Sequence, residues 1–324
     1  MAEAARAFWT VAAGRGAILP EALPARGPDD VRVRTAWSGI SRGTEALVFR
    51  GGVPPAEHAR MRCPWQSGDF PFPVKYGYAA VGVVEEGPEG VCGRTVFCLH
   101  PHQDRFVVPA AAVVPVPGDV PSRRAVLAAN VETAVNALWD SPVLPGQRVA
   151  VIGAGVVGAA VARLAAGVPG TDVTLVDRDP AKAALAAAIG VGFAPPAEAP
   201  VDCDAVFEAT GAPEALATAV AAAGDEAVVT VLSWYGDRAA SLPLGGAFHS
   251  RRLVLRSSQV GRVAPTQRPR WTHARRLGLA LRLLADPVFD HLLGEETEFA
   301  ALPDAMRRFA AASAGALCPL VRYP

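Results

Sequence analysis

Hydrophobic residues in the first 130 positions occur in short runs that are typical of β-strands. Residues 31–34 (Val-Arg-Val-Arg) alternate with period two, and residues 79–84 and 95–99 are apolar runs with glycine and proline nearby. Residues 106–110 and 113–117 contain proline, which has no N–H to donate inside a sheet, so they predict edge strands. This part of the chain therefore predicts a β-rich lobe.

The stretch 51–73 has neither a strand period nor a helix period and carries Trp65, Phe70 and Phe72 among prolines. Loops of this length inside a compact domain are often functional, so we expect it to line a substrate pocket. A surface loop with no such role is the alternative interpretation.

From residue 131 to about residue 258, strand-like and helix-like patterns alternate. Strands are predicted at 148–152, 173–176, 205–207, 227–232 and 253–256, and helices at 131–139, from 156, at 180–188 and at 213–223. Alternation of this kind predicts a parallel sheet with helices on both of its faces.

The last stretch, residues 259–324, contains two strong helical patterns at 272–285 and 303–311. An apolar tail at 320–323 follows them and predicts a strand that returns to one of the sheets. The chain therefore divides into three parts, 1–130, 131–258 and 259–324.

The charges of the 324 residues balance, because 31 Lys and Arg face 31 Asp and Glu. A neutral chain has no long-range attraction for nucleic acid or for an anionic membrane, so neither partner is expected. The five cysteines form no C-x-x-C pair, which disfavours a disulfide framework and a structural zinc knuckle. The N-terminus lacks a signal-peptide pattern, and we expect a soluble, cytoplasmic protein.

The strongest chemical signal is the run Val149-Ala-Val-Ile-Gly153-Ala-Gly155-Val-Val-Gly158. It follows an apolar strand and opens an apolar helix, the context in which G-x-G-x-x-G binds a dinucleotide. Gly153 allows a tight turn, Gly155 lets a pyrophosphate approach the backbone, and Gly158 allows close helix–strand packing. Val156 and Val157 open the helix and are assigned to the same site. A glycine-rich packing turn is the alternative.

Further cofactor contacts are expected where later strands end. Asp177 follows the next strand, and its carboxylate would accept hydrogen bonds from the ribose and repel a 2′-phosphate. NAD is therefore favoured, although Arg178 beside it keeps NADP possible. Two further pairs close later strands and are expected to touch the cofactor, or else to form ordinary turns. They are Ala209 and Thr210, and Leu232 and Ser233.

The chain as a whole resembles the medium-chain dehydrogenase/reductase superfamily, which joins a GroES-like β-barrel to a Rossmann domain. The matching segments are 38–45 (Ser-Gly-Ile-Ser-Arg-Gly-Thr-Glu), 75–82 (Lys-Tyr-Gly-Tyr-Ala-Ala-Val-Gly), 106–110 and the glycine motif. The first of them is most similar to the bacteriochlorophyllide (hydroxyethyl) dehydrogenase-like branch. The resemblance implies that 1–130 and 259–324 together form the catalytic domain and that 131–258 is the Rossmann domain.

The resemblance breaks down at the catalytic metal. Where zinc-type members carry Cys, His and a third Cys or Glu ligand, this chain has Ser41 or Arg42, then Tyr78, and a position near Ala129. A tetrahedral catalytic zinc requires nitrogen and sulfur ligands, so we expect a zinc-independent enzyme. A remote metal site made from Cys98, His100 and His102 is the alternative, although their spacing matches no known ligand motif.

Without zinc, a side chain must donate a hydrogen bond or proton to the substrate oxygen. The alignment implies three candidates near the vacant metal position: Tyr78, Thr44 and His100. Each also has a structural interpretation, because Tyr78 can fill the emptied site, Thr44 can cap a helix and His100 can lie in a surface turn. Glu45 is expected to pair with Arg42 or Arg50 in a structural role.

The nicotinamide ring is expected to contact three further residues. Thr133 aligns with the family residue that packs against the ring, with a helix-capping role as the alternative. Ser257 and Ser258 follow the predicted strand at 253–256 and are expected to reach the carboxamide.

These residues predict an α/β oxidoreductase that moves a hydride between nicotinamide and a secondary alcohol or ketone. The alternatives are reduction of an activated C=C bond, as in quinone and enoyl reductases, and an NAD(P)-binding protein with weak turnover. Family members usually pair through the edge strand of the cofactor domain, and residues 253–256 are the candidate edge for a homodimer.

Overall fold

The computed structural model of the chain describes residues 4–242, 244–311 and 317–324. The first part of the chain forms nine strands and two short helices. They are β1 (Ala4–Ala12), β2 (Arg15–Ala22), β3 (Asp30–Gly39), α1 (Thr44–Phe49), β4 (Ser67–Gly68), β5 (Val74–Lys75), β6 (Ala80–Glu86), β7 (Thr95–Cys98), β8 (Arg105–Pro109), β9 (Val113–Pro115) and α2 (Ser122–Ala125).

The middle part of the chain alternates strands with helices, as the sequence predicts. Its elements are α3 (Ala128–Asp140), β10 (Arg148–Ile152), α4 (Val156–Ala166), β11 (Asp172–Val176), α5 (Lys182–Ala188), β12 (Gly192–Ala194), β13 (Cys203–Glu208), α6 (Ala215–Ala222), β14 (Ala223–Val231) and β15 (Val254–Ser257). The six strands lie in the order β12-β11-β10-β13-β14-β15, and every pair is parallel. This is the strand order of a doubly wound dinucleotide-binding sheet.

The last part of the chain contains α7 (His273–Leu283), β16 (Leu293–Glu298), α8 (Leu302–Ala311) and β17 (Cys318–Arg322). The Thr272 hydroxyl caps α7 by accepting a hydrogen bond from the Arg275 N–H at 3.1 Å. Strand β17 pairs antiparallel with β3, so the predicted return of the chain to the first sheet is confirmed.

The β-lobe closes where its two sheets meet at residues 102–104. One sheet has the order β2-β1-β5-β4, and the other runs β16-β17-β3-β6-β7-β9 with β8 also paired to β3. The Phe8 N–H donates to the His102 carbonyl at 2.9 Å, and the Asp104 N–H donates to the Arg6 carbonyl at 3.0 Å. His102 therefore lies at the seam of the lobe.

The β1–β2 hairpin and strand β16 were not predicted. In β1, the neighbouring residues Ala7 and Phe8 are both buried, so the strand lacks the alternation that marks a half-exposed strand. In β16, only Leu293 and Thr297 are buried within an acidic sequence. The polar composition hides this strand from a pattern-based prediction.

Helix α3 packs between the two halves of the molecule. One continuous core contains α3 residues such as Val131 and Ala134, barrel residues such as Val81 and Phe97, and residues of the parallel sheet. A buried ion pair joins α3 to α7, because Arg276 Nε donates to Glu132 Oε1 at 3.0 Å. Arg276 also donates to the Val260 carbonyl and to Asn136. Among the helices of the described residues, none has the length and apolarity needed to cross a membrane.

Replacing Arg276 with Met leaves the Glu132 carboxylate buried without its cation. We expect the free energy of unfolding to fall by about 3 to 5 kcal/mol, the usual cost of removing one partner of a buried ion pair. Equilibrium denaturation followed by circular dichroism measures this loss. Arg282→Met on the exposed side of α7 is the matched control and should cost less than about 0.5 kcal/mol. Equal effects of the two substitutions would show that the pair does not stabilise the helix contact.

Candidate active site

The glycine-rich turn joins β10 to α4 at the carboxyl edge of the parallel sheet. Gly153 has φ +106, and a Cβ there would lie 2.9 Å from the backbone of Ala209 and Thr210. A Cβ on Gly158 would lie 1.9 Å from the Gly153 carbonyl oxygen, whereas one on Gly155 would meet nothing within 4 Å. The turn thus requires glycine at two positions and leaves open space at the third, beside the start of α4.

The predicted cofactor residues lie at one edge of the sheet, because parallel strands bring their carboxyl ends together. Most of them are partly exposed there. These are Gly155, Val156, Val157, Asp177, Ala209, Thr210, Leu232, Ser233 and Ser258. Arg178 and Ser257 are exposed. Their contact with a cofactor stays a prediction.

Asp177 is held by the backbone around it. Its Oδ2 accepts a hydrogen bond from the Ala154 N–H at 2.7 Å, and its Oδ1 accepts one from the Asp179 N–H at 2.9 Å. Lys182, which sequence reasoning missed, lies close to this carboxylate. Burial is the main cause that lowers the pKa of Lys182. The charges of Asp177 and Asp179 raise this pKa, and the charge of Arg42 lowers it. The first lobe therefore faces this side of the sheet through Arg42.

Two of the predicted strand-end residues take part in a buried network around Glu208, a residue that was also missed. Glu208 is fully buried, and its Oε1 accepts from the Thr210 N–H at 2.8 Å while its Oε2 accepts from the Tyr235 hydroxyl at 2.6 Å. The Gly211 N–H donates to Ser233 Oγ at 2.7 Å. The signal for Glu208 in the sequence is an acidic residue that directly ends an apolar strand.

On the expected nicotinamide side, two hydroxyls are bonded within the protein. Thr133 Oγ1 donates to the Ala129 carbonyl one turn earlier in α3 at 2.9 Å. Ser258 Oγ donates to Asp140 Oδ2 at 2.7 Å, and Asn136 Nδ2 donates to the same oxygen at 2.9 Å. The loop after β15 is thereby tied to the end of α3.

Tyr78 lies where the two domains meet. It is partly buried and packs against an apolar cluster that also receives Trp234 from the loop after β14, and against the core that contains α3. Burial raises the pKa of its phenol most and the charge of Glu45 raises it further, while hydrogen bonding to the Ser41 and Thr44 hydroxyls lowers it. At neutral pH the phenol is therefore protonated and can donate a hydrogen bond.

His100 lies inside the β-lobe and not in a surface turn. It is only 4% exposed, its ring stacks on Phe106 with centroids 3.9 Å apart, and its Nδ1 bonds to the Pro101 carbonyl at 2.9 Å. Burial is the main cause that lowers its pKa to about 3. The imidazole is therefore neutral at neutral pH, which makes it a weak proton donor.

Glu45 does not form the expected pair with Arg42 or Arg50. Its Oε2 bonds to His102 Nε2 at 2.8 Å, and its Oε1 accepts from the Ser41 N–H at 2.8 Å. The Arg50 guanidinium donates instead to the Ala310 carbonyl at 2.8 Å. The separation of 57 residues between Glu45 and His102 explains why no local pattern indicates this pair.

The aromatic loop divides into a buried and an exposed part. Phe70 is buried against Tyr76, with ring centroids 5.7 Å apart, so it supports the loop from inside. Trp65 is 40% exposed and lines a surface pocket together with Pro64, Leu99 and Ala112. Of the three aromatic residues, Trp65 is the one that lines this pocket.

No group of three or more His, Cys, Asp and Glu side chains that could hold a metal occurs in residues 4–242, 244–311 and 317–324. The predicted alternative of Cys98, His100 and His102 is therefore not assembled. His102 is bonded at both ring nitrogens, to Ser38 and Glu45, and the Cys98 thiol lies 3.6 Å from the Ala112 carbonyl.

No protein-family profile and no curated protein sequence matches the chain. Among solved structures, L-idonate 5-dehydrogenase from Escherichia coli gives a TM-score of 0.81 at 16% identity, covering 99% of each chain. A short chain alcohol dehydrogenase from Escherichia coli, complexed with NADH, gives 0.78 at 17% identity and covers 98% of this chain and 99% of that one. A candidate zinc-binding dehydrogenase from Sinorhizobium meliloti, bound to NADP, gives 0.79 at 19% identity with 99% of each chain covered.

The chain has the fold of these dehydrogenases. A GroES-like β-domain is joined to a Rossmann domain, so the predicted fold class is confirmed. At such identities the likeness concerns the fold alone, and the chemistry has to be argued from the side chains at the junction.

The buried His100 predicts a loss of stability in mild acid. Below its ordinary pKa of 6.5 the unfolded chain binds a proton at this imidazole, whereas the folded chain does not until the pH approaches 3. The contribution of His100 to the free energy of unfolding is therefore complete above pH 6.5 and falls as the pH drops, by about 2 kcal/mol at pH 5. Denaturation of His100→Gln at pH 7 and pH 5 should show a smaller fall than the wild-type protein. An unchanged pH dependence would contradict the assignment.

Proposed function

We propose that the protein is an NAD(P)-dependent oxidoreductase that interconverts a secondary alcohol and a ketone on a bulky or planar small molecule, without a catalytic zinc. The observation that carries the proposal is the phenol of Tyr78. It lies at the domain junction with the Ser41 and Thr44 hydroxyls, and the resemblance to the superfamily implies that the catalytic metal of its zinc-type members is held at this position.

The cofactor fits the turn at the end of β10. The open space at Gly155 and the backbone N–H groups at the start of α4 suit a pyrophosphate, and Asp177 suits the ribose hydroxyls. When bound there, nicotinamide supplies hydride transfer. We propose NAD as the preferred form because Asp177 would repel a 2′-phosphate. The cations Lys182 and Arg178 beside it make NADP the competing form.

Zinc does not fit the junction. Ala129 offers no ligand atom, and Ser41 and Tyr78 offer only protonated oxygens where a tetrahedral zinc favours imidazole and thiolate. The two thiols that sense the charge of Glu45 are Cys63 and Cys318, and burial raises the pKa of each to about 12. Both thiols are therefore protonated at neutral pH in the metal-free protein.

Tyr78 has the properties of the proton donor in ketone reduction. Negative charge develops on the carbonyl oxygen in this reaction, and a donor aimed at that oxygen stabilises it. The charge of Glu45 and burial keep the phenol protonated until then, while the Ser41 and Thr44 hydroxyls favour the phenolate that remains. We assign Tyr78 as the catalytic acid, with Thr44 as its support, and leave His100 in a structural role because its imidazole is neutral and stacked.

The remaining proposals concern assembly and location. Strand β15 is the edge of the parallel sheet, and Val254 and Leu255 on it are 43% and 41% exposed. We propose that two copies pair along this edge. Five free cysteines and a balanced charge support a cytoplasmic protein with no nucleic-acid or membrane partner. The bacteriochlorophyllide dehydrogenase-like branch remains our proposal for its nearest relatives.

The cofactor assignment predicts that substitution of one glycine weakens NADH binding, whereas substitution of another lowers the stability of the fold. Gly155→Ala adds a methyl group in open space and should leave stability within about 0.5 kcal/mol of the wild type, yet weaken NADH binding about tenfold or more by blocking the pyrophosphate. Gly158→Ala forces the β10–α4 turn to shift and should destabilise the fold by about 2 kcal/mol or more. NADH fluorescence titration and thermal denaturation measure the two effects. Full NADH affinity in Gly155→Ala would count against the site.

The mechanism predicts that Tyr78→Phe lowers kcat for ketone reduction about 100-fold, the contribution of a general acid. NADH affinity should stay within about twofold, because the phenol acts on the substrate oxygen. The assay is NADH oxidation with a panel of planar and bulky ketones. Tyr76→Phe is the matched control, since the hydroxyl of that buried tyrosine donates to the Met61 carbonyl at 3.2 Å and the variant should keep full turnover.

Three results would argue against this reaction. Undiminished ketone turnover in Tyr78→Phe would remove the proposed acid. Enone or quinone reduction at wild-type rate in the same variant would favour the C=C reductase. Stoichiometric zinc in the active protein, measured by elemental analysis, would exclude the zinc-free site.

A further inference from the structure

Glu45 and His102 form a buried pair inside the β-lobe. Their side chains are 4% and 1% exposed, and Glu45 Oε2 lies 2.8 Å from His102 Nε2. Glu45 belongs to the first turn of α1, whereas His102 belongs to the loop between β7 and β8. The pair therefore fastens two segments that are remote in the chain.

The pair continues through two further hydroxyls to the C-terminal end of the chain. His102 Nδ1 bonds to Ser38 Oγ at 2.7 Å, and Ser38 Oγ bonds to the Tyr323 hydroxyl at 3.0 Å. All four side chains are buried. With Tyr323 donating to Ser38, Ser38 to Nδ1 and Nε2–H to Glu45, every hydrogen-bonding atom along the line is satisfied.

The other oxygen of Glu45 holds the segment that contacts Tyr78. Ser41 N–H donates to Glu45 Oε1 at 2.8 Å, and Glu45 N–H donates to the Ser41 carbonyl at 2.8 Å. Ser41 is thus fixed at both of its backbone polar groups, as in a capping box. Its hydroxyl is one of the two whose hydrogen bonding lowers the pKa of the Tyr78 phenol. Glu45 and Ser41 therefore lie between His102 and the phenol.

From this geometry we propose that His102 is a positioning residue: it orients the Glu45 carboxylate, which fixes Ser41 and through it the hydroxyl of Tyr78. The proposal rests on the function proposed above, because it assigns the site's rigidity to a side-chain pair in place of a metal. Outer partners of this kind commonly alter activity about 10- to 100-fold when removed.

A purely structural role accounts for the pair less well. A buried ion or hydrogen-bonded pair is often no more stabilising than apolar residues of the same volume, so stability alone does not require it. Its charge also acts on the site, because Glu45 raises the pKa of Tyr78, Tyr76, Cys63, Cys318 and Tyr323. Burial lowers the pKa of His100 most, and Lys75 and His102 both lower it further.

Two substitutions of His102 separate its two bonds. His102→Gln places its amide near the former Nε2 and can keep the bond to Glu45, whereas His102→Asn places its amide near the former Nδ1 and keeps only the bond to Ser38. We expect His102→Asn to lower kcat about tenfold with KM within about twofold, and His102→Gln to keep kcat within about threefold of wild type.

A second readout needs no substrate. The chain has only four tyrosines, so protein grown with fluorotyrosine gives four ¹⁹F resonances, which Tyr→Phe variants assign. We expect the Tyr78 resonance to move or broaden in His102→Asn and to stay in place in His102→Gln. If Tyr78→Phe does not lower turnover while the Tyr78 resonance responds to the two His102 variants as expected, the proposed reaction is refuted but the positioning role is not.

The proposal is overturned if His102→Asn lowers stability while kcat and the Tyr78 resonance stay at wild-type values. It is also overturned if the Asn and Gln variants behave alike, because the bond to Glu45 would then not matter. If His102→Asn does not fold, Glu45→Gln tests the same link, since the amide keeps the shape of the carboxylate and loses its charge. Wild-type kcat and an unmoved Tyr78 resonance in Glu45→Gln would equally refute the role.

Discussion

The burial of α3 by both halves of the molecule is the constraint on which the candidate site depends. The same helix contributes Val131 and Ala134 to a core that also contains barrel and Rossmann residues. A protein interior is close-packed and has low compressibility, so a helix held in this way fixes the distance between the domains. The Glu132–Arg276 pair and the bond from Ser258 to Asp140 then tie α7 and the loop after β15 to that helix. Both segments are consequently anchored to one buried element.

Much of this fold could be predicted from the sequence because the buried strands of the parallel sheet have continuous apolar sequences. The strands at 148–152 and 173–176 are covered on both faces, so they appear as continuous hydrophobic segments that end at Gly153 and Asp177. Strand β12 has only three residues, Gly192–Ala194, which is too short for any period to show. Strand β16 fails for the opposite reason, since a strand at the end of its sheet can keep an acidic, mostly exposed sequence.

The candidate site also contains predictable contacts between residues near in sequence and unpredictable contacts between residues far apart in sequence. The glycine turn is predictable because its decisive contact joins Gly158 to the Gly153 carbonyl, five residues away. The line from Tyr323 through Ser38 and His102 to Glu45 is not, because its bonds span 285, 64 and 57 residues. Sequence reasoning pointed to Tyr78 and Thr44 as candidates, and it missed the bonds that join His102, Ser38 and Tyr323. Only the folded lobe brings these three residues together.

The burial of the Glu45 carboxylate explains why it is paired with His102. A carboxylate with 3% exposure is costly to bury unless a cation or several donors compensate it. Tyr78 is protonated at neutral pH and brings no charge to compensate it. His102 supplies the missing donor from a different loop, and the Ser41 amide supplies the second. The burial of Glu45 therefore requires His102, so the loop before β8 and the first turn of α1 are fixed relative to each other by one electrostatic constraint.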